Sequence, residues 1–421
     1  MINDTLEFVI GDTGVYWDSG RIEISSRTAE FEFSDSEYVE VCIRHAWDRP
    51  DYCEPNSSDF CWDFFVSLSG PDPEIISYLP YTYVACDEDS QYIEMTITDP
   101  DTVDPASIVI SVEGERYTLD YPGLTYENDT LVFRPPETWE NNQIVDICLL
   151  EAVDLLGNPM PDTLCWSFIM DLEPPVPTGE TPAGVILNDS LAAFSILLYD
   201  TLSGIDDSSI VVYIDSIPYT LDSAGIHWDG ETLSFSPEEA GIFWSDWDTV
   251  NICISVEDLP DYCGPNDTTY CWRFFVHLRG PVAEIVTPLP GQIAACDSQE
   301  IVIHITDDDT LIDPTTILLV VEGDTFSVDG RILVFDGENL IFYPLETGTP
   351  WYNEQEINIE LISADDMLGN HLQTPLSWSF LVDLEPPIVI DVDPAVGDTV
   401  STIAPVVRFH LTDNLSGVDI F

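Results

Sequence analysis

The sequence contains no lysine. Its 10 basic residues are all arginine and stand against 79 aspartates and glutamates, a formal net charge of −69 over 421 residues. Without lysine, isopeptide cross-links and sortase-type linkages through a side-chain amine are chemically closed. A surface this acidic repels phosphate backbones, which excludes nucleic-acid binding. Long apolar runs are also missing. No stretch approaches the roughly 18 to 20 residues of a membrane helix, so no membrane insertion is expected. No secretory leader precedes the first strand-like segment, so the chain reads as a processed product or a segment of a longer one. Histidine occurs only at positions 45, 227, 277, 304, 371 and 410, never in HExxH or CxxCH. There is no phosphate-cradling glycine loop and little room for a catalytic cleft, so the chain is not expected to be an enzyme. What is present points elsewhere. An apolar fraction of 45%, with 11% aromatic, is too high for a disordered acidic polymer. Ten cysteines in a folded acidic chain imply an oxidising, extracellular setting.

The chain repeats itself. Residues 51–75 match residues 261–285 at an offset of 210, with 15 of 25 positions identical. Residues 155–175 match 367–387 at an offset of 212. Each period holds two related modules. Type A ends in a Gly-Pro joint (70–71, 280–281), and type B ends in Asp-Leu-Glu-Pro-Pro (171–175, 383–387). These proline joints are stiff rather than flexible. The bounds are A1 at 1–71, B1 at 72–173, A2 at 174–281, B2 at 282–385, and a further A fragment at 386–421. A1 matches only the later part of an A module. The fragment matches only the beginning of one: TDNLSGVD at 412–419 parallels YDTLSGID at 199–206.

Within modules the segments are short, alternate apolar and polar, and are bounded by Gly, Pro, Asn and Asp, as in QYIEMTITD and VNICISVED. That predicts an all-β, antiparallel sandwich array, with a single helical turn at 237–241. The motifs LSGID (202–206), AVDLLGN (152–158) and the D-x-E-P-P joints resemble the bacterial immunoglobulin-like repeats of surface proteins and adhesin stalks. The resemblance spans the chain and implies an extracellular array of immunoglobulin-like sandwiches, with no particular activity. Type A loops depart from the pattern, carrying PDYCxPN in place of the Gly-Asn turn.

The repeat also tests cysteine pairing. Cys148 and Cys165 of B1 become Glu360 and Ser377 in B2, so both vanish together, as partners must. Cys42–Cys61 and Cys253–Cys271 hold the same positions in A modules, and three hairpin bridges follow. Of the four remaining, Cys53 and Cys263 lie at the leading pole of A modules, and Cys86 and Cys296 at the trailing pole of B modules. End-to-end stacking then pairs Cys86 with Cys263 and leaves Cys296 for Cys53 of a following subunit.

In an immunoglobulin-like sandwich the incoming linker, the second-to-third strand loop and the final hairpin loop meet at one pole. In A2 these carry Asp171, Glu173, Asp200, Asp206 and Asp258. Converging carboxylates suit calcium, which takes six to eight oxygens, although a solvated acidic rim is the competing reading. The matching set at the chain ends is Asp383, Glu385, Asp413 and Asp419 with Asp48 of a neighbour. Sequons at Asn3, Asn56, Asn128, Asn188, Asn266 and Asn414 offer glycan acceptor sites.

The expected function is a structural subunit of an extracellular filament or cell-surface fibre. Its first sandwich, lacking strands, is completed by the tail of an identical subunit through Ile388, Ile390, Val392, Val406, Phe409 and Leu411. Such a heterologous joint gives an open, head-to-tail homopolymer. The alternative is a two-period stretch of a giant adhesin, stalk or S-layer protein. A carbohydrate-binding array would instead need exposed platforms, with Trp17, Trp47, Trp244 and Trp247 as candidates.

Overall fold

A computed structural model describes residues 1–308 and 310–419. The alternating apolar positions form strands throughout. The only α-helical turn among the described residues is Pro237–Ala240, capped by Ser236 and ended at Gly241 in the left-handed region. No helix among them is long and apolar enough to cross a membrane.

Three stretches build the same two-sheet sandwich. In the B1 stretch a four-stranded sheet runs in the order Leu124–Glu127, Thr130–Phe133, Ile93–Thr98, Asp72–Ile75. A five-stranded sheet runs Tyr83–Val84, Leu164–Met170, Ile144–Glu151, Val109–Val112, Glu115–Tyr117. The short strand Tyr83–Val84 lies parallel to its neighbour and the other pairs are antiparallel. The A2 and B2 stretches repeat both strand orders. Their inner faces close over Phe133, Phe168 and Trp166 in B1, and over Phe342, Phe380 and Trp378 in B2. In these three stretches the tryptophan of the Cys/Ser-Trp-x-Phe strand (Trp166, Trp272, Trp378) packs in the core, its indole N–H donating to the backbone carbonyl of Tyr78, Pro182 or Pro288.

The two ends of the chain are different. Residues 1–71 form two separate two-stranded sheets, Val15–Asp18 with Arg21–Ile24 and Glu37–Trp47 with Ser57–Val66. Residues 386–419 form one hairpin, Ile388–Asp393 with Arg408–Thr412. Its register corrects part of the expected inner face. Val389 lies opposite Leu411 and Val392 opposite Phe409, with a bulge at Ile390 between them. One face therefore carries Val389, Val392, Phe409 and Leu411. Ile388 pairs with Thr412 on the other face, Ile390 is the bulge residue, and Val406 lies outside the paired strand. A bulge inserts one residue and breaks the period-2 count, which strict alternation cannot foresee.

The chain divides into two compact units. One holds residues 1–176, 199–209 and 256–268, and the other holds 177–198, 210–255 and 269–421. The loops 199–209 and 256–268 of A2 thus belong to the same unit as B1.

Candidate metal centre

Asp171, Asp200 and Asp258 each bring a carboxylate oxygen to within 4.8 Å of the others. Backbone turns hold them. Asp200 sits at the head of the turn Asp-Thr-Leu-Ser-Gly, where its Oδ1 accepts from the N–H of Leu202 and of Gly204, both at 2.9 Å. Gly204 has φ +83°, a conformation side chains resist, so the turn requires glycine. Ser203 N–H donates to Asp171 Oδ2 at 2.9 Å. Asn266 donates its backbone and side-chain N–H groups to the two oxygens of Asp258, at 2.7 and 2.6 Å. The same amide reaches Asp171 O at 3.0 Å.

Two polar atoms are left over. Asp171 is 1% exposed, and its Oδ1 is buried without a hydrogen-bond partner, as is the Ser203 hydroxyl. A buried carboxylate oxygen with nothing to accept is costly unless a cation neutralises it. Burial, opposed by the Asn266 hydrogen bonds and reinforced by the charges of Asp171 and Asp200, pushes the Asp258 carboxyl up. Hard oxygen donors converging in this way fit calcium rather than a softer metal. Glu173 is exposed, and Asp206 caps its own turn by accepting from Ser208, so neither joins the cluster.

The same pole recurs along the chain, at places the sequence reading did not single out. In B1, Asp99, Asp101 and Asp154 gather in the same way, with Asn158 donating to both oxygens of Asp154 and to Ser67 O. Burial disfavours the ionised form of Asp154, but the Asn158 side chain and the N–H groups of Asn158, Gly157 and Leu156 outweigh it and hold the carboxyl low. Asp99 goes the other way: burial, with the charges of Asp154 and Asp101, pushes it up despite the Asp101 N–H. In B2 the group is His277, Asp307 and Asp366, with Asn370 on Asp366. His277 takes the place of Ser67 in the repeat, and its ring lies 3.4 Å from Asp246 and 3.8 Å from Asp307. An aspartate-asparagine pair is therefore common to every module. The PDYCxPN loop keeps that pair and adds residues between its members. A fourth group, Glu40 with Cys42 and Cys61, holds no metal through sulfur because the cysteines are bonded to each other.

At the chain ends the cluster exists in halves. Asp383 Oδ2 accepts from Ser416 N–H, and Asp413 Oδ1 accepts from Leu415 and Gly417 N–H, repeating Asp171 and Asp200. Asp48 accepts from Asn56 at 2.7 and 2.6 Å, repeating Asp258. Glu385 is exposed, as its A2 counterpart Glu173 is, and Asp419 is exposed where its counterpart Asp206 is half-buried.

Four disulfides are formed: Cys42–Cys61, Cys148–Cys165 and Cys253–Cys271 across hairpins, and Cys86–Cys263 between residues 177 apart in sequence. Cys53 and Cys296 are free and exposed. Of the sequon asparagines, Asn3, Asn56, Asn188 and Asn266 use their side-chain amides as hydrogen-bond donors. Trp244 is buried, while Trp17, Trp47 and Trp247 are exposed.

No protein family and no curated protein matches the chain. Solved structures similar to it include a protocadherin gammaB7 EC3-6 fragment, at 11% identity over 89% of this chain and 92% of that one, TM-score 0.36. A 1.5-MDa bacterial ice-binding adhesin matches at 13% identity over 75% of this chain and 98% of that one, TM-score 0.33. The titin tandem I9-I11 matches at 10% identity over 74% and 99%, TM-score 0.24. The described residues form an all-β tandem array of two-sheet sandwiches, cross-linked by four disulfides.

Proposed function

We propose that this chain is the subunit of an extracellular filament in which the hairpin at 386–419 of one copy completes the sandwich of residues 1–71 of the next. The observation that carries this reading is an apolar face exposed in one repeat and covered in the other. Trp62 is 43% exposed where Trp272 is 9%, and Phe64 is 38% where Phe274 is 0%. Ile43 is likewise 38% where Ile254 is 0%. In A2 that face is covered by Phe194, Ile196 and Leu198, Phe194 meeting Trp272 edge-on at 5.7 Å between centroids. Val407, Phe409 and Leu411 align with those three residues, and Val407 and Phe409 are exposed. An uncovered sheet face beside a sequence that covers the same face elsewhere invites strand addition. The joint is heterologous, so it generates an open fibre.

Assembly also brings Asp48 of one copy to Asp383 and Asp413 of another, forming at the joint a counterpart of the A2 carboxylate cluster. Calcium held there, and by Asp171, Asp200 and Asp258, stiffens the joints. The alternative is a much longer adhesin or S-layer chain, in which a preceding module of the same polypeptide covers the face. The same exposed positions support it. Deleting residues 386–421 decides between filament and monomer: the truncated chain is expected to sediment as monomers. Fibres of normal length from it would sink the proposal. A ladder of about 47 kDa steps on a non-reducing gel favours the polymer, and one very large band surviving reduction favours the single chain.

A further inference from the structure

The PDYCxPN loop of A2 has a partner within the chain, and the matching loop of A1 has none among the described residues. In the first unit the loop of A2 seats on the outer edge of B1. Asp261 N–H donates to Tyr83 O at 2.9 Å, and Tyr83 N–H returns to Asp261 Oδ2 at 2.8 Å. Ala85 N–H donates to Tyr262 O at 3.1 Å, so the loop adds a short parallel bridge beside Val84. The Tyr262 ring meets Tyr78 edge-on at 5.4 Å, and its hydroxyl accepts from Leu79 N–H at 3.3 Å. Cys263 then closes on Cys86, with Cα atoms 5.1 Å apart. Backbone pairing, an aromatic anchor and a covalent lock thus act within three consecutive residues.

Asp51, Tyr52 and Cys53 repeat Asp261, Tyr262 and Cys263 in an identical DYC tripeptide. Cys53 has φ +73° and Cys263 φ +68°, a left-handed backbone that non-glycine residues seldom adopt. At its cysteine the unpaired loop thus shares the left-handed backbone of the paired one. Tyr52, the anchor, is 88% exposed. The receiving edge also recurs. Leu289, Ile293, Ala294, Ala295 and Cys296 take the places of Leu79, Tyr83, Val84, Ala85 and Cys86. Leu289 and Ile293 are exposed, and Cys296 is exposed where Cys86 is 1% exposed. Pro288 replaces Tyr78, so the anchor ring would lie on a proline.

We infer that the loop Asp51–Cys53 is a clamp that docks on the edge Leu289–Cys296 of a second copy of this chain and closes a Cys53–Cys296 disulfide between them. The inference rests on the filament reading and adds to it the second contact of the joint and its covalent lock. Closing the bond removes two electrons and two protons. A low-molecular-weight disulfide supplies the oxidant: one thiolate attacks it, the other thiolate attacks the resulting mixed disulfide, and two small thiols leave.

The test assembles the full chain with oxidised glutathione and maps its peptides without reduction. The expected result is a 53–296 linked peptide beside 86–263. In addition, C53S and C296S should each remove the covalent ladder while fibres remain visible by electron microscopy. Fibres whose Cys53 and Cys296 are recovered as free thiols, or as 53–86 and 263–296 links, overturn the clamp and leave strand completion standing. If the oxidised wild-type chain forms no oligomer, both readings fall together.

Discussion

Truncating Phe409 to alanine tests the joint at its centre. Phe409 aligns with Ile196, which is 1% exposed in the completed sandwich of A2, whereas Phe409 itself is 64% exposed in the free chain. Removing a fully buried phenylalanine costs about 3–5 kcal/mol. Roughly two thirds of that burial occurs on joining, because the ring is otherwise in water. The loss assigned to the joint is therefore about 2–3 kcal/mol, or about a 30- to 150-fold weaker association at 1.4 kcal/mol per tenfold. Sedimentation velocity over a dilution series, under reducing conditions that remove any covalent lock between subunits, reads this as a shift in the concentration of half-assembly. The control is Ile388→Ala. Ile388 pairs with Thr412 on the opposite face of the hairpin, so it should shift that concentration by less than about threefold. If Phe409→Ala leaves assembly within threefold of wild type, or if Ile388→Ala weakens it equally, the assignment of the inner face is wrong.

The remaining predictions concern the cluster and the long disulfide. Calcium should raise the melting temperature and a strong chelator at low salt should lower it. In Asp171→Asn both responses should shrink, and an unchanged calcium response in that variant would exclude this centre. The Asp258 carboxyl is held above its ordinary value, so the native state binds its proton more tightly than the unfolded chain does. In calcium-free buffer this group therefore adds stability at low pH, and the contribution is lost as pH rises from about 4 through the raised value. Asp258→Asn should gain in melting temperature relative to wild type at pH 7 and lose that advantage near pH 4; a pH-independent difference would refute the coupling. Cys86→Ser with Cys263→Ser opens a loop of 177 residues and should destabilise the first unit by about 2–5 kcal/mol in urea unfolding.

Much of this was readable in the chain because it carries its own control. The paired loss of two cysteines in B2 identified a hairpin bridge, and the pole argument placed Cys86 against Cys263. The resolution of sequence reasoning stopped at the side chain. Asp200 and Asp206 share one loop, yet Asp200 turns inward on the N–H groups of Leu202 and Gly204, while Asp206 is taken up by Ser208. Nothing in the spacing separates them. The B1 cluster was missed because Asp154 needed its partner Asn158 to be recognised, and a Gly-Asn turn reads as turn chemistry alone. Aligning Asn158 with Asn266 across loops of unequal length was the available signal. Spacing alone does not place Ile388 and Ile390 on a face of the hairpin, because one bulge residue inverts the alternation beyond it.

The long disulfide also governs how far the molecule can stretch. When the two ends are pulled, force crosses from Cys86 to Cys263 through sulfur, and residues 87–262 between them bear no tension. At roughly 3.3–3.6 Å per extended residue, about 600 Å of contour is withheld from extension even if B1 unfolds. With Cys53 bonded to Cys296 of the neighbour, the continuous covalent path through each subunit shortens further. It comprises only residues 53 to 86 and 263 to 296, two stretches of equal length. A fibre built this way would behave under load as a chain of short ties, its sandwiches hung beside the line of force.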